Sequence, residues 1–215
     1  MTHCCSANNA CAEFFGERVA RRALRRYRSK GLDADALQMV AWADEAGVGG
    51  ASVLEVGGGI GAVATTLLQH GAGRAVNLEV VSGWEPFART LAAEEGIEGR
   101  SEFRVGDLLL DPWVAEPADV VALQRVVCCN PEGIRLAGLA AGLAQRMLVL
   151  SYPRDAVWTR WGVSAANLLE RLRRQSFRAF VHPPTAILAA AVAQGLELVH
   201  RERGPVWESA ALRRA

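Results

Sequence analysis

No apolar run in the chain approaches the roughly 18 to 20 residues needed to cross a bilayer. The opening residues, Met1 to Asn9, also lack the basic start and apolar core of a secretory signal. A cytoplasmic protein without a membrane span is expected. Charge of one sign is scarce too: the formal net charge is +1, so no whole-molecule field draws the chain to nucleic acid. The basic residues are nearly all arginine and gather from Arg18 to Arg28 and from Arg171 to Arg178, which leaves room for local patches. Internal repeats and low-complexity linkers are missing as well.

Cysteine is present in an odd number, five, and without the paired Cys-x-x-Cys spacing of a structural zinc site. A disulfide framework is not expected, and the thiols should be reduced. His3-Cys4-Cys5 with Cys11 offers ligand types for a soft metal, but no metal site is assigned from spacing alone. One further reading folds this arm over an acceptor pocket, toward Cys128 and Cys129. That adjacent pair reads either as reactive or chelating thiols or as small buried residues at a strand end.

At 215 residues, half of them hydrophobic, the chain can bury one substantial α/β core. Residues 1–49 read as a Cys-containing arm with helices, and residues 50–215 as the main domain. Phe14, Phe15, Val19, Ala23 and Tyr27 mark one side of a helix over 12–30, ended by Gly31. Asp33 is placed to cap a second helix running to about Ala46. Apolar runs at 52–56, 75–80, 119–124 and 146–151, with a weaker one at 101–105, read as parallel strands, separated by helices at 60–70, 84–96 and 132–144. This alternation predicts right-handed βαβ units in a doubly wound sheet. In the tail, helices at 164–174 and 185–194 precede two stretches joined at Gly204-Pro205, which read as an antiparallel hairpin.

The densest chemistry lies in Val53-Leu54-Glu55-Val56-Gly57-Gly58-Gly59-Ile60-Gly61, a strand, a glycine turn and a helix start. Glycines at 57, 59 and 61 permit positive φ and close approach to a ligand. Such a loop also fits a dinucleotide fingerprint, so its acids must discriminate. Glu55 beside the loop would repel a pyrophosphate and suit a cationic cofactor. Glu79 at the end of the second strand lies where a ribose-binding acid is expected for either cofactor. Asp107, after the third strand, offers an acceptor for an adenine amine.

Through Glu55-x-Gly57-x-Gly59-x-Gly61, Glu79 and Gly106-Asp107 the chain resembles the class I S-adenosylmethionine-dependent methyltransferases over about residues 50–212. The resemblance implies a seven-stranded, mostly parallel sheet whose one antiparallel strand comes from the tail hairpin. It also implies that Gly57, Gly59 and Gly61 wrap the methionine portion of the cofactor, Glu79 binds the ribose, and Asp107 with Leu108 contacts adenine. Gln124, at the end of the fourth strand, joins this cofactor set.

Ligands of open α/β sheets bind beyond the carboxyl ends of the strands, so the fourth and fifth ends should line the acceptor pocket. Those ends, from Leu123 to Pro131 and from Ser151 to Trp161, resemble bacterial methyltransferases similar to magnesium-protoporphyrin O-methyltransferase, in which a Cys-Cys-aromatic-Pro segment recurs. Here Asn130 stands in the aromatic place. Substrate-binding candidates are Cys128, Cys129, Arg154 and Trp158, and catalytic ones are Arg125, Tyr152 and His182. His182 could serve as a general base near neutral pH or cap the helix behind Pro183. Arg125, Arg154 and Arg160 could grip an anionic substrate or pair with Asp155 and neighbouring acids. Trp158 and Trp161 could wall the acceptor or pack a helix.

The expected activity is methyl transfer to a small-molecule acceptor. Competing readings are a nicotinamide-dependent oxidoreductase on a similar sheet, a nucleic-acid binder using Arg18 to Arg28, and a non-catalytic cofactor- or metal-binding protein.

Overall fold

The structure, a computed structural model, describes residues 13–214. Seven strands, β1 (Ser52–Val56), β2 (Arg74–Glu79), β3 (Ser101–Val105), β4 (Ala118–Gln124), β5 (Ala144–Pro153), β6 (Leu196–Arg203) and β7 (Trp207–Arg214), form one sheet in the order β3-β2-β1-β4-β5-β7-β6. β1 to β5 pair in parallel, and β7 runs antiparallel to both β5 and β6. The doubly wound, mostly parallel sheet is thus present, and the tail hairpin supplies its antiparallel strand.

Period-two alternation divides the core between the two faces. Leu54, Val121, Leu123, Leu148 and Leu150 pack on α5 (Gly133–Leu143) and α7 (Pro184–Val192). Val53, Ala75, Val120, Ala122, Met147 and Val149 pack on α2 (Ala34–Glu45) and α3 (Ala62–Gln69). Ala92 of α4 (Glu85–Glu94) joins that second face. Because β1, β4 and β5 are covered on both sides, they read as nearly continuous apolar runs. Each fully buried leucine among them contributes about 1.5 to 3 kcal/mol. α2 is part of this layer, with Met39 and Ala43 fully buried against the sheet.

The expected helix is interrupted: residues 13 and 14 are helical, and α1 (Glu17–Lys30) starts afresh after Gly16, which is extended rather than helical. Its apolar side faces the carboxyl ends of the strands, where Phe14, Phe15, Ala23 and Tyr27 pack around Trp84, Leu91 and Phe177. α6 (Val157–Leu172) begins seven residues before the expected 164. Gly162 and the aromatic pair Trp158 and Trp161 weaken helix propensity there without breaking the helix. α6 is fastened to the following strap by Asn167, which donates to Ala179 O at 2.8 Å and accepts from Ala179 N at 2.8 Å.

The chain winds from β1 out to β3, then returns across the sheet to β4 beside β1. That reversal opens a crevice between the carboxyl ends of β1 and β4.

Candidate functional site

β1 delivers the chain to Gly57, Gly59 and Gly61, which all adopt left-handed backbone, with φ of +65°, +57° and +73°. The obstacle to a side chain at each is first the protein itself. A Cβ would stand 2.3 Å from Val126 at Gly57, 2.7 Å from Trp84 at Gly59 and 3.0 Å from Asn77 at Gly61. Gly58 is equally constrained, since its Cβ would lie 2.5 Å from the Glu55 carboxyl carbon.

Glu55 does not line the crevice. The alternation that places Val53 on the α3 face places Glu55 there too, fully buried, where its Oε2 accepts from Ala64 N at 2.8 Å in the first turn of α3. Burial raises its pKa to about 7 against the lowering effect of the Ala64 and Val63 N–H groups. The expected contact with a cationic cofactor is therefore corrected: this acid occupies the amino end of α3 from beneath the loop. Asn77, on the same face of β2, holds the loop from the other side by donating to Gly59 O at 2.9 Å.

Glu79, Asp107, Leu108 and Gln124 do converge with the glycine loop, around a cavity of about 340 Å³. Glu79 is buried and accepts from Gly59 N at 3.1 Å and Val81 N at 3.0 Å. Burial raises its pKa, and these N–H groups oppose the rise. Asp107 Oδ1 accepts from Leu109 N at 2.9 Å, fixing the turn after β3. Trp84 forms one wall, and beside it Phe15, with Val19 and Tyr27 of α1, closes over the cavity.

Most of the acceptor candidates are engaged elsewhere. Tyr152 is fully buried on the α5 face and donates to Glu208 Oε1 at 2.9 Å, its cross-strand neighbour on β7. Burial, followed by the Glu208 charge, pushes its pKa well upward. Glu208 is also paired with Arg201 and Arg203. His182 Nε2 lies 2.9 Å from Asn130 O and packs over Gly133 rather than capping the helix behind Pro183. Neither residue reaches the cavity, so both catalytic expectations are corrected.

Arg125 does border the cavity, but its guanidinium is clamped. It pairs with Asp33 at 2.9 Å and with Asp35 through Nε at 3.0 Å, and it lies 4.5 Å from the centre of the Trp207 ring. These contacts hold a non-glycine residue at φ +55°, a conformation that costs about 1 to 3 kcal/mol. Asp33, expected as a helix cap, makes no capping hydrogen bond and instead bridges Arg26 and Arg125.

Arg160 pairs with Asp155. Trp158 is 57% exposed, donates to Pro205 O at 3.0 Å and carries Arg154 over its ring at 5.3 Å, away from the cavity. Of the two adjacent thiols, Cys129 lines the cavity and Cys128 is buried behind it. The Cys129 thiol beside it lowers the Cys128 pKa, against burial and with help from the Arg125 charge. His3, Cys4, Cys5 and Cys11 lie outside the described residues.

Asn77, Trp84 and Asp35 were missed by sequence reasoning, and Asp33 was read only as a cap. Asn77 carried a signal: an amide within the apolar run from Ala75 to Leu78 must be buried and therefore bonded.

No protein-family model matches the chain, and no curated protein matches it closely in sequence. Solved structures do match. Magnesium protoporphyrin IX methyltransferase from Synechocystis PCC 6803, with bound SAH, superposes with a TM-score of 0.75 at 17% identity, covering 98% of this chain and 100% of that one. The fold is that of the class I methyltransferases. Geranyl diphosphate C-methyltransferase from Streptomyces coelicolor, in complex with magnesium, geranyl diphosphate and S-adenosyl-L-homocysteine, gives 0.64 at 13% identity over 84% of this chain and 77% of its own. The cyclase SpnF gives 0.63 at 14% over 83% and 81%. At such identities the likeness establishes the architecture alone.

Proposed function

We propose that the chain is an S-adenosylmethionine-dependent methyltransferase acting on a small-molecule acceptor. The observation that carries this reading is a cavity bounded by the glycine loop, Glu79 and Asp107 at the ends of three successive strands. Its donor set fits an adenosyl cofactor. Glu79, although it holds two backbone N–H groups, keeps carboxylate lone pairs for the ribose hydroxyls. Asp107 and Leu108 would receive adenine, while Gly57 and Gly59 with Gln124 would surround the methionine end and Gly61 would start α3 behind them.

Glu55 supports the same choice by a different route from charge attraction. Dinucleotide sites place pyrophosphate against the first N–H groups of the helix after the loop. Here Glu55 has taken N–H groups of the first turn of α3 from beneath the loop, so those donors are not offered to an anion in the crevice.

The cofactor would supply an electrophilic methyl group bonded to a sulfonium. The chain's part is then to align an acceptor in line with that methyl and to exclude water. Val126, Cys129 and Leu136 from the sheet side, Phe15 just ahead of α1 and Val19 within it provide apolar walls for this. With His182 and Tyr152 outside the cavity, the acceptor is one whose nucleophilic atom needs no proton removal by either. Arg125 shapes the floor as a clamped residue. A homocysteine-forming coupled assay across small apolar acceptors tests the proposal. Acceptor-dependent turnover that disappears in Gly59→Val is expected, and cofactor binding without turnover on any acceptor would reduce the protein to a binding module.

A further inference from the structure

α6 stands almost clear of the fold. Of its 16 residues only Thr159 is buried, and Asn167 ties the helix to the strap behind it. The outer side is apolar. Trp158, Trp161, Ala165, Leu168 and Leu172 recur at alternating spacings of three and four, which aligns them in one stripe along a helix, and Leu169 widens it. All of these side chains are exposed, Trp161 to 74% and Leu172 to 73%. Two tryptophans so exposed present on the order of 300 Å² by themselves. The three leucines carry the patch past what a monomer ordinarily leaves in water.

The unanswered charges nearby have one sign. Arg160 and Arg173 are neutralised within the chain, by Asp155 and Glu170. Arg171, in the last turn of α6, and Arg174, just beyond it, are exposed and make no ion pair among the described residues. The strap then brings Phe177 against Phe14, with ring centres 4.3 Å apart, so the segment after α6 meets the segment ahead of α1. On α1 itself, Arg18, Arg22 and Arg25 follow at i, i+4 and i+7 on one exposed side, again without an ion pair among the described residues.

The occupant must answer both features. Nucleic acid would neutralise the arginines but leave Trp161, Leu168 and Leu172 in water. A second copy would bring the same arginines, since a two-fold interface sets a patch against itself. A bilayer with acidic headgroups meets both needs: its acyl boundary takes the tryptophans and leucines, and its phosphates take the guanidinium groups. We infer that α6 docks its apolar stripe on the surface of a bilayer carrying anionic lipid, with Arg171, Arg174 and the row Arg18, Arg22 and Arg25 held by headgroups. The attachment is peripheral, because no helix among the described residues is long and apolar enough to cross a membrane. It does not depend on which reaction the cavity performs.

Flotation of the full chain with vesicles of equal parts phosphatidylglycerol and phosphatidylcholine, and with vesicles of phosphatidylcholine alone, tests this. Binding to the first is expected, with a blue shift of tryptophan emission, and binding to the second should be weaker by at least about tenfold. Leu168→Glu/Leu172→Glu should lose at least about tenfold in affinity for the anionic vesicles. Arg18→Glu/Arg22→Glu/Arg25→Glu should lose a similar factor, and its gap from the wild type should close in high salt. These side chains are all exposed, so circular dichroism should match the wild type. Adenosylhomocysteine calorimetry on the same samples reads the cofactor assignment separately.

Absence of binding to anionic vesicles, or wild-type affinity in Leu168→Glu/Leu172→Glu, overturns the docking. A concentration-dependent dimer in sedimentation velocity that Trp161→Glu dissolves, without vesicle binding, would give the stripe to a second copy instead. Oligonucleotide binding tighter than vesicle binding would give the arginines to nucleic acid and equally overturn it.

Discussion

The two halves of the crevice use polar side chains differently. At the ends of β1, β2 and β3, buried polar groups grip backbone: Glu55 holds Ala64 N, Asn77 holds Gly59 O, and Glu79 holds Gly59 N and Val81 N. Beyond β4 and β5, side chains grip one another, as in Arg125 with Asp33 and Asp35 and Tyr152 with Glu208. The first arrangement fixes the shape of a loop, and the second ties distant segments together. A ligand can therefore meet a preformed surface in the first half, while the most conspicuous polar residues of the second serve the fold.

The sharpest way to break this contrast is at the loop. Gly59→Val puts a branched side chain at φ +57° and within 2.7 Å of Trp84. The strain and displacement should exceed about 3 kcal/mol, weakening adenosylhomocysteine by more than about a hundredfold in calorimetry. Retained affinity would show that the loop is not the cofactor surface.

Glu55 gives the next largest effect, read in urea unfolding as a function of pH. Its pKa is raised from 4.5 to about 7 in the folded chain. Below 4.5 both states are protonated. Between 4.5 and 7 the unfolded chain ionises while the folded carboxyl keeps its proton, so stability falls as pH rises through this window. Glu55→Gln retains an acceptor for Ala64 N and should gain about 3 kcal/mol on the wild type across it. Parallel pH profiles for the two proteins would mean that Glu55 is hydrated or paired otherwise.

Smaller effects separate the halves directly. Glu79→Ala should weaken adenosylhomocysteine by about 1.5 to 3 kcal/mol through loss of charge-assisted hydrogen bonds. Tyr152→Phe should cost about 1 kcal/mol of unfolding free energy, since Glu208 keeps Arg201 and Arg203, and leave cofactor affinity unchanged. A fall in turnover per folded molecule for Tyr152→Phe would return that residue to the reaction.

The difference between the halves also explains what could be read from residues alone. Strand positions and the glycine loop follow from local signals: apolar runs bounded by turns, and glycines that must take positive φ. Glu55 was readable one step further, because alternation from Val53 directs it toward α3 rather than toward a ligand. Arg125, Tyr152 and His182 were not. Their partners, Asp33 and Asp35, Glu208, and Asn130 O, come from segments 52 or more residues away, and nothing in the sequence near each residue announces the pairing. Glu208 became findable only once the register of β5 on β7 set it opposite Tyr152.

The central claim is that an adenosyl ligand fits where β1 passes into α3, with no place there for a pyrophosphate. Calorimetric titration of the full chain with adenosylhomocysteine and, separately, with NAD tests it most directly. One-to-one binding of adenosylhomocysteine with no heat from NAD is the predicted result. Absence of adenosylhomocysteine binding by folded protein, or competitive binding of NAD at similar affinity, would contradict it.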